Sequence, residues 1–281
     1  MWTRHWKLSR DPFVARDVPF VPTPGHAEAE ARLIHAIETA ERSAFLRAAP
    51  GLGKTLVLGR ALERTRGPSR RIARVAGPVD GPSLLAALAE GLHARLPAGA
   101  GRPMAWKRLA DDVRLGRLQG LHVVLAIDDC HLLTATDDRL DLERLVHLDP
   151  HPRTLLTVVQ VGRDPAAGTP DPSSWGLAIR LPPLTRSEAG HFVTAKLAAA
   201  GRDEPVFTSR AITRLHALSG GNPRGLDRLA ALALMAGAVR RLEMIPAEVV
   251  EGVARECSGA VIAAHPFLEG IAAEGSQART S

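Results

Sequence analysis

The chain has 281 residues, 45% of them hydrophobic and 23% charged, which suits a globular protein with a core large enough for one big or two modest domains. No apolar run approaches the roughly 20 residues of a membrane span, and Met1 to Arg10 is too charged and too rich in Trp for a secretory signal, so a cytoplasmic location is expected. The net charge of +6 invites a nucleic-acid partner. Only four of the 36 basic residues are lysines (Lys7, Lys54, Lys107 and Lys196), however, and a chain rich in Arg, Ala, Gly and Pro is more simply the product of a coding bias. Cys130 and Cys257 lack a CxxC or metal-like partner and fit a reducing compartment.

In chain order, Trp2 to Pro24 sets Trp2, Trp6, Phe13 and Phe20 among prolines and charges with no regular period, and reads as an extended arm. His26 to Thr39 spaces Ala29, Leu33, Ala36 and Ile37 along one helical face. Ala44 to Leu46 reads as a buried strand, Leu56 to Arg64 as a helix, and Arg71 to Val75 as a second strand. Ser83 to Leu96 and Met104 to Leu118 read as amphipathic helices on either side of a turn-rich segment. Leu121 to Ile127 is a continuous apolar run of the kind buried on both faces. Thr154 to Val161 and Leu177 to Leu181 are further strands. Strands alternating with helices predict an α/β fold, an αβα sandwich with a central parallel sheet.

After Pro182 and Pro183 the pattern becomes helical. Thr185 and Glu188 form a capping box for a helix to about Ala200, Thr208 caps Ser209 to Leu218, and the Gly220 to Pro223 break precedes Arg224 to Ala238. Pro246 to Arg255 reads as a fourth helix. The expected organisation is therefore a core with its arm over 1–184, a small helical lid over 185–257, and a weakly patterned tail over 258–281.

The chemistry concentrates in two places. Ala48 to Thr55 reads AAPGLGKT between the first strand and the helix that follows it. Small residues there let the backbone curl so that successive N–H groups face a phosphate, and the helix adds its positive N-terminal end. Ala49, Pro50, Gly51, Leu52, Gly53, Lys54, Thr55 and Leu56 are the expected ATP-binding residues, with Lys54 charging the phosphates and Thr55 holding Mg2+. Ala48 stands where such loops carry their first Gly, so the turn must open with an ordinary backbone. At the end of the strongest strand, Asp128 is the expected carboxylate for the metal and Asp129 the expected general base, one methylene shorter than the usual Glu.

With both motifs in hand, the chain resembles the ExeA-like branch of the AAA+ ATPases, also called general secretion pathway protein A and related to the ATPases of Tn7-type transposition. The resemblance runs from about Trp6 to Arg255. It rests on the Pro12-Phe13 opening, the helix from His26 to Leu33, Asp128 to Leu133 (DDCHLL), and Gly221 to Arg224 (GNPR), besides the phosphate loop. It implies that Arg224 is a lid arginine reaching the γ-phosphate and that Arg163 sits in the region that senses it, with Gln160 as the weaker choice. Arg180 lies near where such families carry an arginine that serves a neighbouring subunit's ATP. It implies also that the arm and the His26 helix flank the adenine.

The resulting expectation is a cytoplasmic Mg-dependent ATPase, associating into a homo-oligomer with ATP and acting as a conformational switch on an unidentified protein partner. Two other readings stay open. One is a transposition-type ATPase on duplex DNA, supported by the Arg-rich stretch from Arg60 to Arg74; the other is a scaffold that binds ATP with little hydrolysis, motivated by Ala48 and Asp129. The chain lacks the transmembrane helix and peptidoglycan-binding region of the full secretion proteins, from which a stand-alone enzyme is expected.

Overall fold

The computed structural model describes residues 2–14, 20–77, 83–97, 99–133, 136–163 and 176–257. The elements of the first half are α1 (Trp2–His5), α2 (Pro24–Glu38), β1 (Ser43–Arg47), α3 (Lys54–Arg64), β2 (Arg70–Ala76), α4 (Leu84–Gly91) and α5 (Arg102–Leu118). Then follow β3 (His122–Asp128), a 3-10 turn at Cys130–Leu132, α6 (Thr136–Val146), β4 (Leu156–Gly162), β5 (Leu177–Arg180), α7 (Arg186–Ala199), α8 (Ser209–Ser219), α9 (Pro223–Val239) and α10 (Ala247–Cys257). Two units result: Pro24–Pro182, and Met1–Thr23 joined with Pro183–Ser281. Among the described residues no helix is long and apolar enough to cross a membrane.

The first unit is an αβα sandwich. The five strands among its described residues are all parallel, in the order β2-β3-β4-β1-β5. Every residue of β3 and β4 is buried, which is why these segments are apolar throughout rather than alternating. Alternation survives in which layer each side chain joins. Val124, Ala126, Val159 and Val161 pack with Leu33 and Ile37 of α2 and Leu58 of α3. Val123, Leu125, Ile127 and Val158 pack with Leu85 of α4, Leu109 of α5 and Leu145 of α6. Because β1 lies between β4 and β5 while the chain leaves it for β2 at the far edge, a crevice opens at the carboxyl end of β1, where open parallel sheets bind ligands.

Helix α6 has no counterpart among the expected elements. Six of its eleven residues are charged, and its inward face is Leu142, Leu145 and Val146 with Asp141, which is 1% exposed. That carboxylate accepts from Arg102 Nε and Nη2, both at 2.8 Å, so the helix is fixed by an ion pair where an apolar stripe would have announced it.

The second unit is helical, and its start signals act as expected. Thr185 and Glu188 form a reciprocal capping box, Thr208 caps α8, and Asn222 Oδ1 accepts from the N–H groups of Arg224 and Gly225. Phe192, Leu215, Leu226, Leu234, Ile245 and Val250 form its core. Lys196 is buried with them, its ammonium donating to both Asp227 oxygens at 2.6 and 2.8 Å and lying 4.5 Å from the centre of the Phe192 ring.

The N-terminal arm belongs to this helical unit, whereas the sequence suggested that it accompanies the core, and it opens with the single turn α1 rather than as extended chain throughout. Trp6 is 2% exposed, and its Nε1 donates to the Leu234 carbonyl at 2.8 Å. Ser9 donates through both N–H and Oγ to the Ala200 carbonyl, and Arg10 donates to that of Ala199. The physical cause is area: a few short helices leave apolar surface between α7 and α9, and Trp6, Leu8 and Phe13 cover it. The predicted tail over 258–281 lies outside the described residues.

Candidate functional site

The loop between β1 and α3 turns on two glycines. Gly51 has φ of 84° and Gly53 of 92°, both in the left-handed region that costs an L side chain about 1–2 kcal/mol. Ala48 is not among the positive-φ residues, so the turn does open conventionally, as Ala requires; it is buried, and its N–H donates to the Gly162 carbonyl at 3.2 Å. Helical geometry begins at Lys54, two residues earlier than the sequence suggested, because Gly53 completes the turn and serves as the N-cap. Lys54 is 7% exposed, and its Nζ donates to the carbonyls of Ala48 and Ala49 at 2.9 and 3.1 Å. The ammonium is thus folded over the loop, against the carbonyls of its first two residues.

From outside the loop, His26 braces it. This buried side chain on α2 donates from Nε2 to the Leu52 carbonyl at 2.9 Å, and a Cβ added to Gly53 would lie 2.9 Å from the same nitrogen. The His26 helix therefore bears directly on this loop.

The second motif closes the other side. Asp128 ends β3 and is 1% exposed. Its Oδ1 accepts from the Asp129 N–H at 3.1 Å and its Oδ2 from Arg74 Nη2 at 3.0 Å. The same Nη2 lies 3.4 Å from the Thr55 carbonyl, so the first turn of α3 and the end of β3 stand on either side of one cation. A hydroxyl at Thr55 and a carboxylate at Asp128 are hard oxygen donors of the kind that suits Mg2+, and the Arg74 guanidinium shows that positive charge is accommodated beside Asp128. The residues present therefore fit the metal that the fold implies.

Asp129 adopts φ of 49°, a left-handed conformation that Asp tolerates better than most residues, and its side chain is 40% exposed. His131 Nδ1 lies 3.9 Å from Asp129 Oδ1, too far for a hydrogen bond, and burial together with the charge of Arg163 holds this imidazole below its ordinary pKa. Burial also pushes the Cys130 thiol up to about 12. Gly162 permits the close approach of this turn to β4, since a Cβ there would meet Cys130 Sγ at 2.9 Å. Arg163, exposed just after β4, is close enough to His131 for its charge to act on that imidazole, while Asp164 lies outside the described residues. Gln160, inside β4, is 2% exposed, with no hydrogen-bond partner for its Nε2 among the described residues.

Two further arginines were expected at the site. Arg180 ends β5 as the register partner of Arg47 and is exposed. Arg224 is exposed in the first turn of α9, in the helical unit. Sequence reasoning missed Arg74 as part of the site and the bracing bond of His26. An Arg between the buried Ala73 and Val75 is a signal for the first, but its carboxylate partner emerges only from the register of β2 against β3.

The stretch from Arg60 to Arg74 gives less support to a DNA surface than its composition suggested. Arg60 and Arg64 pair with Glu30 at 3.0 Å each, Arg66 with Glu63 at 3.3 Å and Arg71 with Asp112 at 3.5 Å. Arg70 donates to the Thr65 carbonyl and Arg74 to Asp128. A cleft of about 900 Å³ bordered by Trp106, Arg114, Arg144 and His147 lies between α5 and α6, on a different part of the core unit from the phosphate loop.

Five parallel strands in this order, with helices on both faces and a helical region after them, are the fold of the P-loop AAA+ ATPases. Among solved structures, Aeropyrum pernix ORC1 in complex with DNA matches with a TM-score of 0.64 and 22% identity, over 87% of this chain and 68% of that one. Aeropyrum pernix ORC2, solved with ADPNP and ADP, matches with a TM-score of 0.62 and 18% identity, over 88% of this chain and 72% of that one. Among curated proteins, the chain is 28% identical over 270 residues to general secretion pathway protein A of Aeromonas hydrophila, covering 92% of this chain and 49% of the relative. The resemblance seen in the motifs thus extends through most of the sequence, and the chain spans about half the length of that relative. No protein-family model matches the chain.

Proposed function

We propose that this protein binds ATP with Mg2+ and hydrolyses it, using the change of nucleotide state to act on a macromolecular partner. The observation that carries the reading is the loop from Gly51 to Lys54, whose two left-handed glycines turn the backbone between β1 and α3 beneath a lysine folded over its mouth. In this reading the N–H groups of 51–56 and the Lys54 ammonium hold the phosphates, Thr55 and Asp128 hold Mg2+, and Asp129 orients and deprotonates the attacking water. The metal, when bound, neutralises charge on the phosphate oxygens. Arg163 or the buried amide of Gln160 senses the γ-phosphate, Arg224 reports it to the helical unit, and Arg180 serves a neighbouring copy in an ATP-dependent homo-oligomer. His26 supports the reading from beside the loop, where the resemblance expects adenine to be flanked.

Phosphate release from ATP, alone and with duplex DNA, tests it. Wild type is expected to turn over, and Lys54→Ala and Asp129→Asn each to lose at least about 100-fold, Lys54→Ala through nucleotide binding and Asp129→Asn through the chemical step. ATP binding without turnover in any condition would reduce the protein to a nucleotide-gated scaffold. Stimulation by DNA would bring it to the transposition-type alternative, for which the similarity to ORC1 bound to DNA is the favouring observation.

A further inference from the structure

Arg74 lies on β2, an edge strand of the sheet, in a register that sets Ala76 opposite Asp128 and Arg74 opposite Ala126. Its Nη2 donates to Asp128 Oδ2 at 3.0 Å and reaches to 3.4 Å from the Thr55 carbonyl. Its Nη1 lies over α3, where a Cβ on Gly59 would be 3.4 Å away. Since Asp128 Oδ1 is taken by the Asp129 N–H, both oxygens of the carboxylate are engaged by the chain itself. The carboxylate is 2% exposed, whereas the arginine side chain is 37% exposed.

We propose that Arg74 is a latch on the metal carboxylate: it competes with Mg2+ for Asp128 and so sets the Mg2+ concentration at which the nucleotide site loads. This rests on the nucleotide-site reading given above. A guanidinium is permanently charged, and its bond to a carboxylate is of the strong, charge-assisted kind. Mg2+ needs near-octahedral oxygen ligation and gives up its waters reluctantly, so a carboxylate already neutralised and turned toward an arginine is a poorer partner for it. Little solvent reaches Asp128 to screen the competition. The arginine, on an edge strand and partly in water, can swing outward when it lets go. Because the coupling is reciprocal, metal that favours the released arginine must be disfavoured by the engaged one.

The test titrates Mg2+ against binding of a fluorescent ATP analogue to the full chain, starting from EDTA, with thermal unfolding as a check on folding. Relative to wild type, Arg74→Gln is expected to lower the Mg2+ half-point about tenfold. Arg74→Lys, which keeps the charge without the fork, should lower it about threefold and serves if the Gln variant does not fold. On an Asp128→Asn background the Arg74→Gln change should produce no shift. Equal half-points in wild type, Arg74→Gln and Arg74→Lys, with nucleotide bound by all three, would overturn the latch alone. No nucleotide binding by wild type at any Mg2+ concentration would overturn the site reading and the latch with it.

Discussion

Replacing Gly53 by Ala should destabilise the core unit by about 3 kcal/mol, and the structure separates the two causes. The first is backbone conformation: φ of 92° costs an L residue roughly 1–2 kcal/mol. The second is steric, since the new Cβ would lie 2.9 Å from His26 Nε2 and 3.4 Å from Cδ2, closer than the buried ring can tolerate. Moving the ring breaks its bond to the Leu52 carbonyl and leaves a buried polar group unpaired, at about 1–3 kcal/mol. Two other glycines act as internal standards. Gly99 has φ of 76° with nothing within 4 Å of an added Cβ, so Gly99→Ala isolates the conformational part at about 1–2 kcal/mol. Gly67 has neither constraint, and Gly67→Ala should be neutral or stabilising by up to about 1 kcal/mol. Urea unfolding of the three variants, read as midpoint shifts at unchanged slope, gives the comparison. If Gly53→Ala were no worse than Gly99→Ala, the brace between His26 and the loop would be refuted.

Stability should also fall as pH drops, through His122. Burial, with Arg70 adding to it, pushes this imidazole down to about 4, and it hydrogen-bonds with Thr157 Oγ1 at 2.9 Å. Between an ordinary pKa of 6.5 and about 4 only the unfolded chain takes up the proton, so its contribution is complete above pH 6.5 and is lost on the way down, about 3 kcal/mol in all. His122→Gln should flatten that part of a stability curve measured from pH 7 to pH 4, and an unchanged slope would count against the assignment. Trp6→Ala should cost the helical unit about 3–5 kcal/mol through the cavity and the lost bond to Leu234, detected as an earlier melting of that unit, whereas an arm that merely rests on it would change little.

What could be read in advance was whatever local chemistry decides. The capping box at Thr185 and Glu188, the turn at Gly220 and Gly221 and the apolar run of β3 each carry their cause within a few residues, and each appears where it was expected. Helix α6 and the attachment of the arm were not legible for the opposite reason. The inward face of α6 includes a carboxylate whose partner, Arg102, lies 39 residues away, and Trp6 finds its acceptor 228 residues away. No periodicity encodes such a partner. In the candidate site, the glycine-rich loop and Asp128 were visible as short motifs, while Arg74 and the bracing bond of His26 depend on which strand and helix come to lie beside them.

The arginines make the same point about charge. Read as composition, +6 suggested a surface for a polyanion. In the folded chain Arg102 is taken by Asp141, Arg117 by Asp149 at 2.8 Å, Arg71 by Asp112, Arg60 and Arg64 by Glu30, and Arg74 by Asp128. In each of these pairs the carboxylate is buried or nearly so, and a buried carboxylate needs a fixed counter-charge with several donors, which Arg provides better than Lys. An excess of Arg over Lys therefore fits internal neutralisation in this unit, and the one lysine in the phosphate loop stands out against it. Lys54 lies where a compact ammonium on a flexible stem can move from loop carbonyls to a ligand, which a planar guanidinium held by paired oxygens does less readily.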